Sequence, residues 1–173
     1  MNVLTALLLM TSLSLVSNAL AQDIEPPFGI RHYDTGPAPH FVLANIDGEE
    51  FSFESTRGNW VFLHFWASWC GPCKVEMPAI QKLSEMIPDD RLQIVMINTA
   101  EDEDTIFEFL ASINMNLDSL MDSDGEVTEL WQPRGLPTTI LIDPRGNVKY
   151  QAVGGREWHQ PPYSDFLYRL TAD

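Results

Sequence analysis

The sequence predicts an α/β domain built on a central mixed β-sheet flanked by helices, and three observations carry this. Trp60 to Trp66, WVFLHFW, is a nearly continuous apolar run of strand length, as expected of a strand covered on both faces. After Cys70 the apolar residues Val75, Met77, Ile80, Leu83, Met86 and Ile87 recur at helical spacing. A second buried run follows at Leu92 to Ile97, and strand and helix patterns keep alternating toward the C-terminus.

The remaining elements follow in order. Residues 22–39 are rich in Pro, Gly and isolated charges without a period of either kind, and read as an extended N-terminal segment; the domain proper is expected over 40–173. Phe41-Val42-Leu43 and Glu50-Phe51-Ser52-Phe53 flank the turn signal Asp47-Gly48, which predicts a small N-terminal β-hairpin. Ile106, Phe107, Leu110 and Ile113 mark a second helix, entered through the acidic run Glu101 to Asp104, which suits the positive end of a helix. Asp122-Ser123-Asp124-Gly125-Glu126 has the look of a calcium loop, but Leu120 and Trp131 fall where its first and last ligands belong, so a solvated turn is expected. Thr139 to Ile142 is a third strand, turned by Asp143-Pro144-Arg145-Gly146-Asn147 into a fourth over Val148 to Val153, and Phe166, Leu167 and Leu170 mark a closing helix.

Residues 1–21 contain an apolar stretch from Val3 to about Val16, then polar residues and Ala19-Leu20-Ala21, the outline of a secretory signal peptide cleaved after Ala21. An uncleaved membrane anchor is the alternative, although a spanning helix wants about 20 predominantly apolar residues and this one is diluted by Thr and Ser. Without it about 150 residues remain, enough for one domain with a sizeable core. The net charge of −15 speaks against nucleic acid and anionic lipid as partners. Export, periplasmic or otherwise, places the two cysteines in an oxidising compartment, where neighbouring thiols must be maintained or used.

Those cysteines stand in WASWCGPCKVEMP, residues 66–78. With Cys70 at a strand-to-helix junction, the unpaired N–H groups and partial positive charge of the first helical turn favour its thiolate; each unit of pKa lowering is worth about 1.4 kcal/mol. Cys73 shares the same helix face, close enough for a disulfide, and Pro72 sits where the helix needs no donor. The spacing describes a switch in which Cys70 attacks and Cys73 resolves. Structural zinc needs four ligands, and His32, His40, His64 and His159 stand at no paired spacing. A structural disulfide closing a very short loop, and a binding module carrying copper on the two thiolates, are the other readings.

WCGPCK matches the thioredoxin active-site motif. The wider pattern FVLANIDGEEFSFE…GNWVFLHFWASWCGPCKVEMP…DSDGEVTELWQPRGLPTTILIDPRGNV resembles the exported TlpA/ResA-type thiol-disulfide oxidoreductases of the thioredoxin superfamily, over about residues 38–155. The resemblance implies a thioredoxin-like fold and a redox-active Cys70–Cys73 disulfide, with no other cofactor and no metal. It implies reduction of disulfides in exported client proteins, of the kind that mature cytochrome c or copper sites, with electrons from a membrane-bound donor dithiol protein. It further implies a cis Pro137 in Gly135-Leu136-Pro137-Thr138-Thr139, facing the cysteines, so that Leu136, Pro137 and Thr138 bind an extended client segment by β-addition.

Two more candidate catalytic residues join Cys70 and Cys73. Glu76 matches an active-site glutamate of the family, against the plain alternative of an exposed helix glutamate. His64 occupies the position where thioredoxins carry a buried aspartate; it is either a proton relay or a neutral, hydrogen-bonded core histidine. Trp69 is expected as an exposed contact platform beside Gly71 and Pro72, and Trp66 as core.

Overall fold

The structure, a computed structural model, describes residues 24–113 and 115–172. The expected signal peptide at 1–21 lies outside the described residues. In chain order the elements are β1 (Ile30–Pro37), β2 (Val42–Ala44), β3 (Glu50–Ser52), a 3₁₀ turn (Phe53–Thr56), β4 (Trp60–Trp66), α1 (Gly71–Met86), β5 (Leu92–Thr99), α2 (Glu103–Ser112), β6 (Leu120–Asp122), α3 (Glu126–Trp131), β7 (Thr138–Ile142), β8 (Asn147–Val153) and α4 (Tyr163–Leu170). Six strands form one sheet in the order β1-β8-β7-β4-β5-β6, and β2 pairs with β3 as a separate hairpin. The strands β4, β5 and β6 run parallel, whereas β7, β8 and β1 are joined by antiparallel pairings, with β7 antiparallel to β4. This is the α/β thioredoxin-like fold that the sequence predicts.

Strand β4 is central, and its alternation divides the core. Phe62 and Trp66 face a cluster with Cys73, Met77, Ile80 and Leu83 of α1, Ile106 and Leu110 of α2, and Phe166, Leu167 and Leu170 of α4. Val61, Leu63 and Phe65 face the opposite cluster, where Phe41 and Phe53 from the hairpin region meet Trp131 of α3. Burial on both sides is why the run reads as continuously apolar. His64 is fully buried within it.

Three features depart from the expectations. Residues 30–37, expected to precede the domain, are a strand of the main sheet, so the fold starts about ten residues before His40. Only Ile30 of that strand is buried, and its pairing with β8 shifts register between His32 and Gly36, so no period-two pattern marks it. Strand β6 and helix α3, with 3 and 6 residues, are too short to impose a period. The expected solvated turn between them is also wrong at its first residue, because Asp122 is fully buried. Its carboxylate accepts from Val127 N at 3.0 Å, Thr128 N at 2.7 Å and Thr128 Oγ1 at 2.6 Å, satisfying the first amides of α3. Gly125 makes the turn at φ 74°, a conformation glycine adopts without a Cβ clash.

Removal of the Asp122 acceptor leaves those donors buried and unpaired. Asp122→Ala is therefore expected to cost about 2–4 kcal/mol of stability in urea unfolding, and Asp122→Asn less, since one amide oxygen still accepts.

Candidate active site

The site is built where β4 ends and α1 begins. The chain leaves Trp66, which is buried and donates from Nε1 to Ser119 Oγ at 3.0 Å, and turns over Ala67-Ser68-Trp69 with Cys70 N donating to Ala67 O at 3.2 Å. Cys70 is the N-cap of α1: its Sγ accepts from Cys73 N at 3.2 Å. Pro72 stands in the first turn, where a missing N–H leaves nothing unpaired. The two sulfurs are bonded at 2.05 Å with the Cα atoms 5.3 Å apart. Cys70 is 5% exposed and Cys73 is 0% exposed, whereas Trp69 beside them is 70% exposed.

Glu76 lies one helical turn beyond Cys73 and is buried, which excludes the plain exposed-glutamate reading. Its Oε1 accepts from Arg156 N at 2.9 Å and from Trp158 Nε1. Its Oε2 lies 3.7 Å from His64 Nε2, and neither atom has a hydrogen-bond partner among the described residues. On the other side of the ring, His64 Nδ1 is 2.9 Å from Thr139 Oγ1, its cross-strand neighbour on β7. Burial pushes the Glu76 carboxyl up to about 7, against the Arg156 and Trp158 hydrogen bonds that stabilise its charged form. Burial alone holds His64 down at about 3. The His64–Glu76 contact is therefore no ion pair at neutral pH: the imidazole is uncharged, and the carboxyl is poised near half-ionisation. Burial favours the neutral imidazole, and Thr139 Oγ1 is its hydrogen-bond partner.

The Leu136–Pro137 bond is cis. The β4–β7 register sets Phe65 opposite Thr138, so the cis-proline loop stands at the same end of the sheet as the cysteines. Pro137 O accepts from Gly154 N at 2.8 Å, and Thr138 Oγ1 donates to Gly135 O at 2.6 Å, which holds the loop from both sides. Leu136 packs half-buried against the cluster that contains both cysteines. Gly71, Pro72 and Glu76 also line a cavity of about 580 Å³ with Val75, Arg156 and Tyr163.

Sequence reasoning missed Thr139, Arg156 and Trp158 as members of the site. Trp158 stands in the aperiodic stretch Gly154 to Pro162, where nothing marks it as a fully buried partner of a carboxylate. Gly155 is the clearest overlooked signal: a Cβ there would come within 3.3 Å of Pro72 O and 3.6 Å of Glu76 Cβ, so the loop lies against α1 at a distance tight for any side chain.

The model of the AhpC/TSA family matches residues 35–151. The chain belongs to the AhpC/TSA family. Within it, the chain is 34% identical over 117 residues to thiol-disulfide oxidoreductase ResA of Bacillus subtilis (strain 168), a match covering 68% of this chain and 65% of that relative, just under two thirds of its length. Among solved structures it is similar to a putative thiol:disulfide interchange protein DsbE from Chlorobium tepidum, with TM-score 0.73, 28% identity and coverage of 82% of this chain and 99% of the other. StoA from Bacillus subtilis superposes with TM-score 0.61 at 27% identity, covering 68% of this chain and 90% of that one. The AhpC/TSA match runs from within β1 into β8 and so includes the cysteines, Glu76, His64 and the cis-proline loop.

The buried acid and imidazole leave opposite marks on stability. Glu76 binds its proton more tightly folded than unfolded, so its contribution is complete below about pH 4.5 and is lost as the pH rises through about 7. His64 resists protonation when folded, so stability is lost as the pH falls from about 6.5 toward about 3. Between about 4.5 and 6.5 the two slopes oppose each other. Subtracting the stability of Glu76→Gln from that of the wild type isolates the acid. That difference is expected to fall by up to about 3 kcal/mol between pH 4.5 and 7 in urea titrations, and a flat difference would mean that Glu76 ionises like an exposed glutamate.

Proposed function

We propose that this protein is an exported thiol-disulfide oxidoreductase that reduces disulfides in client proteins through Cys70 and Cys73. The observation that carries the reading is the placement of Cys70 Sγ at the N-terminus of α1, where it accepts the Cys73 amide while Cys73 itself is sealed from solvent. Once the disulfide is reduced, that amide and the helix terminus stabilise negative charge on Cys70 and make it the attacking sulfur. The Cys70 thiolate attacks a client disulfide, forming a mixed disulfide and releasing one client sulfur as a thiolate that takes up a proton. Cys73, deprotonated, then attacks Cys70 Sγ, expels the second client thiolate and re-forms the Cys70–Cys73 bond. Two electrons pass to the client, and a donor dithiol protein, membrane-bound in this reading, returns them.

Glu76 is the group suited to exchange the Cys73 proton. It sits one turn along the same helix, and its carboxyl near 7 both accepts and donates at neutral pH. His64 stays neutral and turns its unpartnered Nε2 toward that carboxyl. The client docks on Trp69, Gly71 and Pro72, with an extended segment along Leu136, Pro137 and Thr138. Clients of the cytochrome c or copper-site maturation type suit an exported reductase, and the net charge of −15 favours partners with a basic docking face over nucleic acid. Export rests on residues 1–21.

Cys70→Ser is expected to abolish reduction of insulin or client disulfides, and Cys73→Ser to accumulate a mixed disulfide whose captured protein mass spectrometry identifies. Full reductase activity in the Cys70 variant would reverse the assigned order of attack.

A further inference from the structure

Glu101 follows β5 and precedes α2, yet it takes no part in capping that helix. Asp102 does so, accepting from Thr105 N at 2.9 Å. Glu101 turns back across the end of the sheet instead. Its Oε2 accepts from Ser68 N at 2.7 Å and from Asn98 Nδ2 at 2.7 Å, and its Oε1 accepts from Ser68 Oγ. Asn98 is fully buried opposite Trp66 in the β4–β5 register, so it supplies a fixed donor from the sheet itself. The backbone bends to allow this: Ala100 has φ 56°, a left-handed conformation that a residue with a Cβ adopts at a cost of about 1 kcal/mol or more. Ala100 N is held by Asp122 O at 2.9 Å, so the bend is anchored to β6.

The pinned residue is the centre of the turn that carries the site. Ser68 lies between Ala67, whose carbonyl accepts from Cys70 N, and Trp69, the exposed aromatic next to the nucleophile. Without the carboxylate, the Ser68 amide and hydroxyl lose their acceptor, and the turn is held at its two ends only.

We propose that Glu101 is a positioning residue: its carboxylate tethers the Ala67–Trp69 turn to β5 and so sets the angle at which Trp69 and Cys70 meet a protein client. The inference rests on the oxidoreductase reading and adds to it a residue outside the cysteine motif and the cis-proline loop. The tether holds the platform more than the sulfur, because the Cys70 Sγ contact to Cys73 N lies within α1 and does not involve Glu101. A protein disulfide, which must dock on Trp69, is therefore more sensitive to its loss than a small disulfide.

The test compares wild type, Glu101→Ala and Glu101→Gln in the full chain. Glu101→Ala is expected to slow reduction of insulin about tenfold and reaction with a small aromatic disulfide about twofold. Glu101→Gln restores both to near the wild-type rates, since its amide oxygen still accepts from Ser68 N and Asn98 Nδ2 while its amide nitrogen donates to Ser68 Oγ. Amide hydrogen exchange over residues 67–70 is expected to rise in the Ala variant and return in the Gln variant. Equal slowing of both substrates, failure of Gln to rescue, or an unchanged insulin rate would overturn the proposal. If the wild type reduces no disulfide at all, the oxidoreductase reading fails, and unchanged exchange in Glu101→Ala would then sink the tether as well.

Discussion

The structure depends on the burial of β4 between two sheet neighbours and two apolar clusters. Every backbone group in its middle is paired with β5 or β7, and its side chains alternate into opposite cores. Such a strand has no freedom to shift, because a slip by one residue would exchange its two faces. Its C-terminal end is therefore a fixed point from which the Ala67–Trp69 turn and α1 are launched. The parallel pairing with β5 brings Asn98 and Glu101 to that end from one side, and the antiparallel pairing with β7 brings Thr138 and the cis-proline loop from the other. Residues far apart in the chain meet at the cysteines because one strand is pinned.

The same burial governs the charge chemistry beneath the disulfide. A glutamate and a histidine within 3.7 Å invite an ion pair, but both are withdrawn from water, and desolvating two charges costs more than one imperfect contact returns. The pair resolves this by leaving the imidazole neutral. The donations from Arg156 N and Trp158 Nε1 to one of its oxygens, with the charge of Arg156, oppose the upward push of burial on Glu76. The loop bearing Arg156 and Trp158 thus sets the acidity of a group on α1, and Gly155 lets that loop come near enough to do so.

Much of this was legible in the sequence, and the boundary of legibility has physical causes. Strand β4 and the long helix after Cys70 announce themselves because burial dictates apolar residues over many positions, and the hairpin because Asp47-Gly48 marks its turn. The cysteine motif is legible because helix-terminus electrostatics needs those residue types at that spacing, and the proline loop because it resembles a known family's. Strand β1 is nearly all exposed on an edge, so no alternation betrays it. Asp122, Glu101 and Trp158 are invisible for another reason: each acts through contacts made only in three dimensions, with partners 6, 33 and 82 residues away in the chain. Carboxylates in loops look alike in a sequence, whether they face water or cap buried amides.

A dithiol that shuttles between oxidised and reduced states must gain and lose protons as well as electrons, and its two sulfurs have opposed needs. Cys70 gains from the positive end of α1, which favours a bare thiolate at the surface. Cys73 lies deeper, where burial favours the neutral thiol, and a neutral thiol does not attack. In the proposed reaction the resolving step is helped by a base close by that is itself uncharged part of the time, since a permanent carboxylate at that depth would hold the Cys73 proton in place by repulsion. A carboxyl with a pKa of about 7, one turn along the same helix, fits that description. In the proposed exchange that is the part open to Glu76, which is buried against a neutral imidazole instead of paired with a cation.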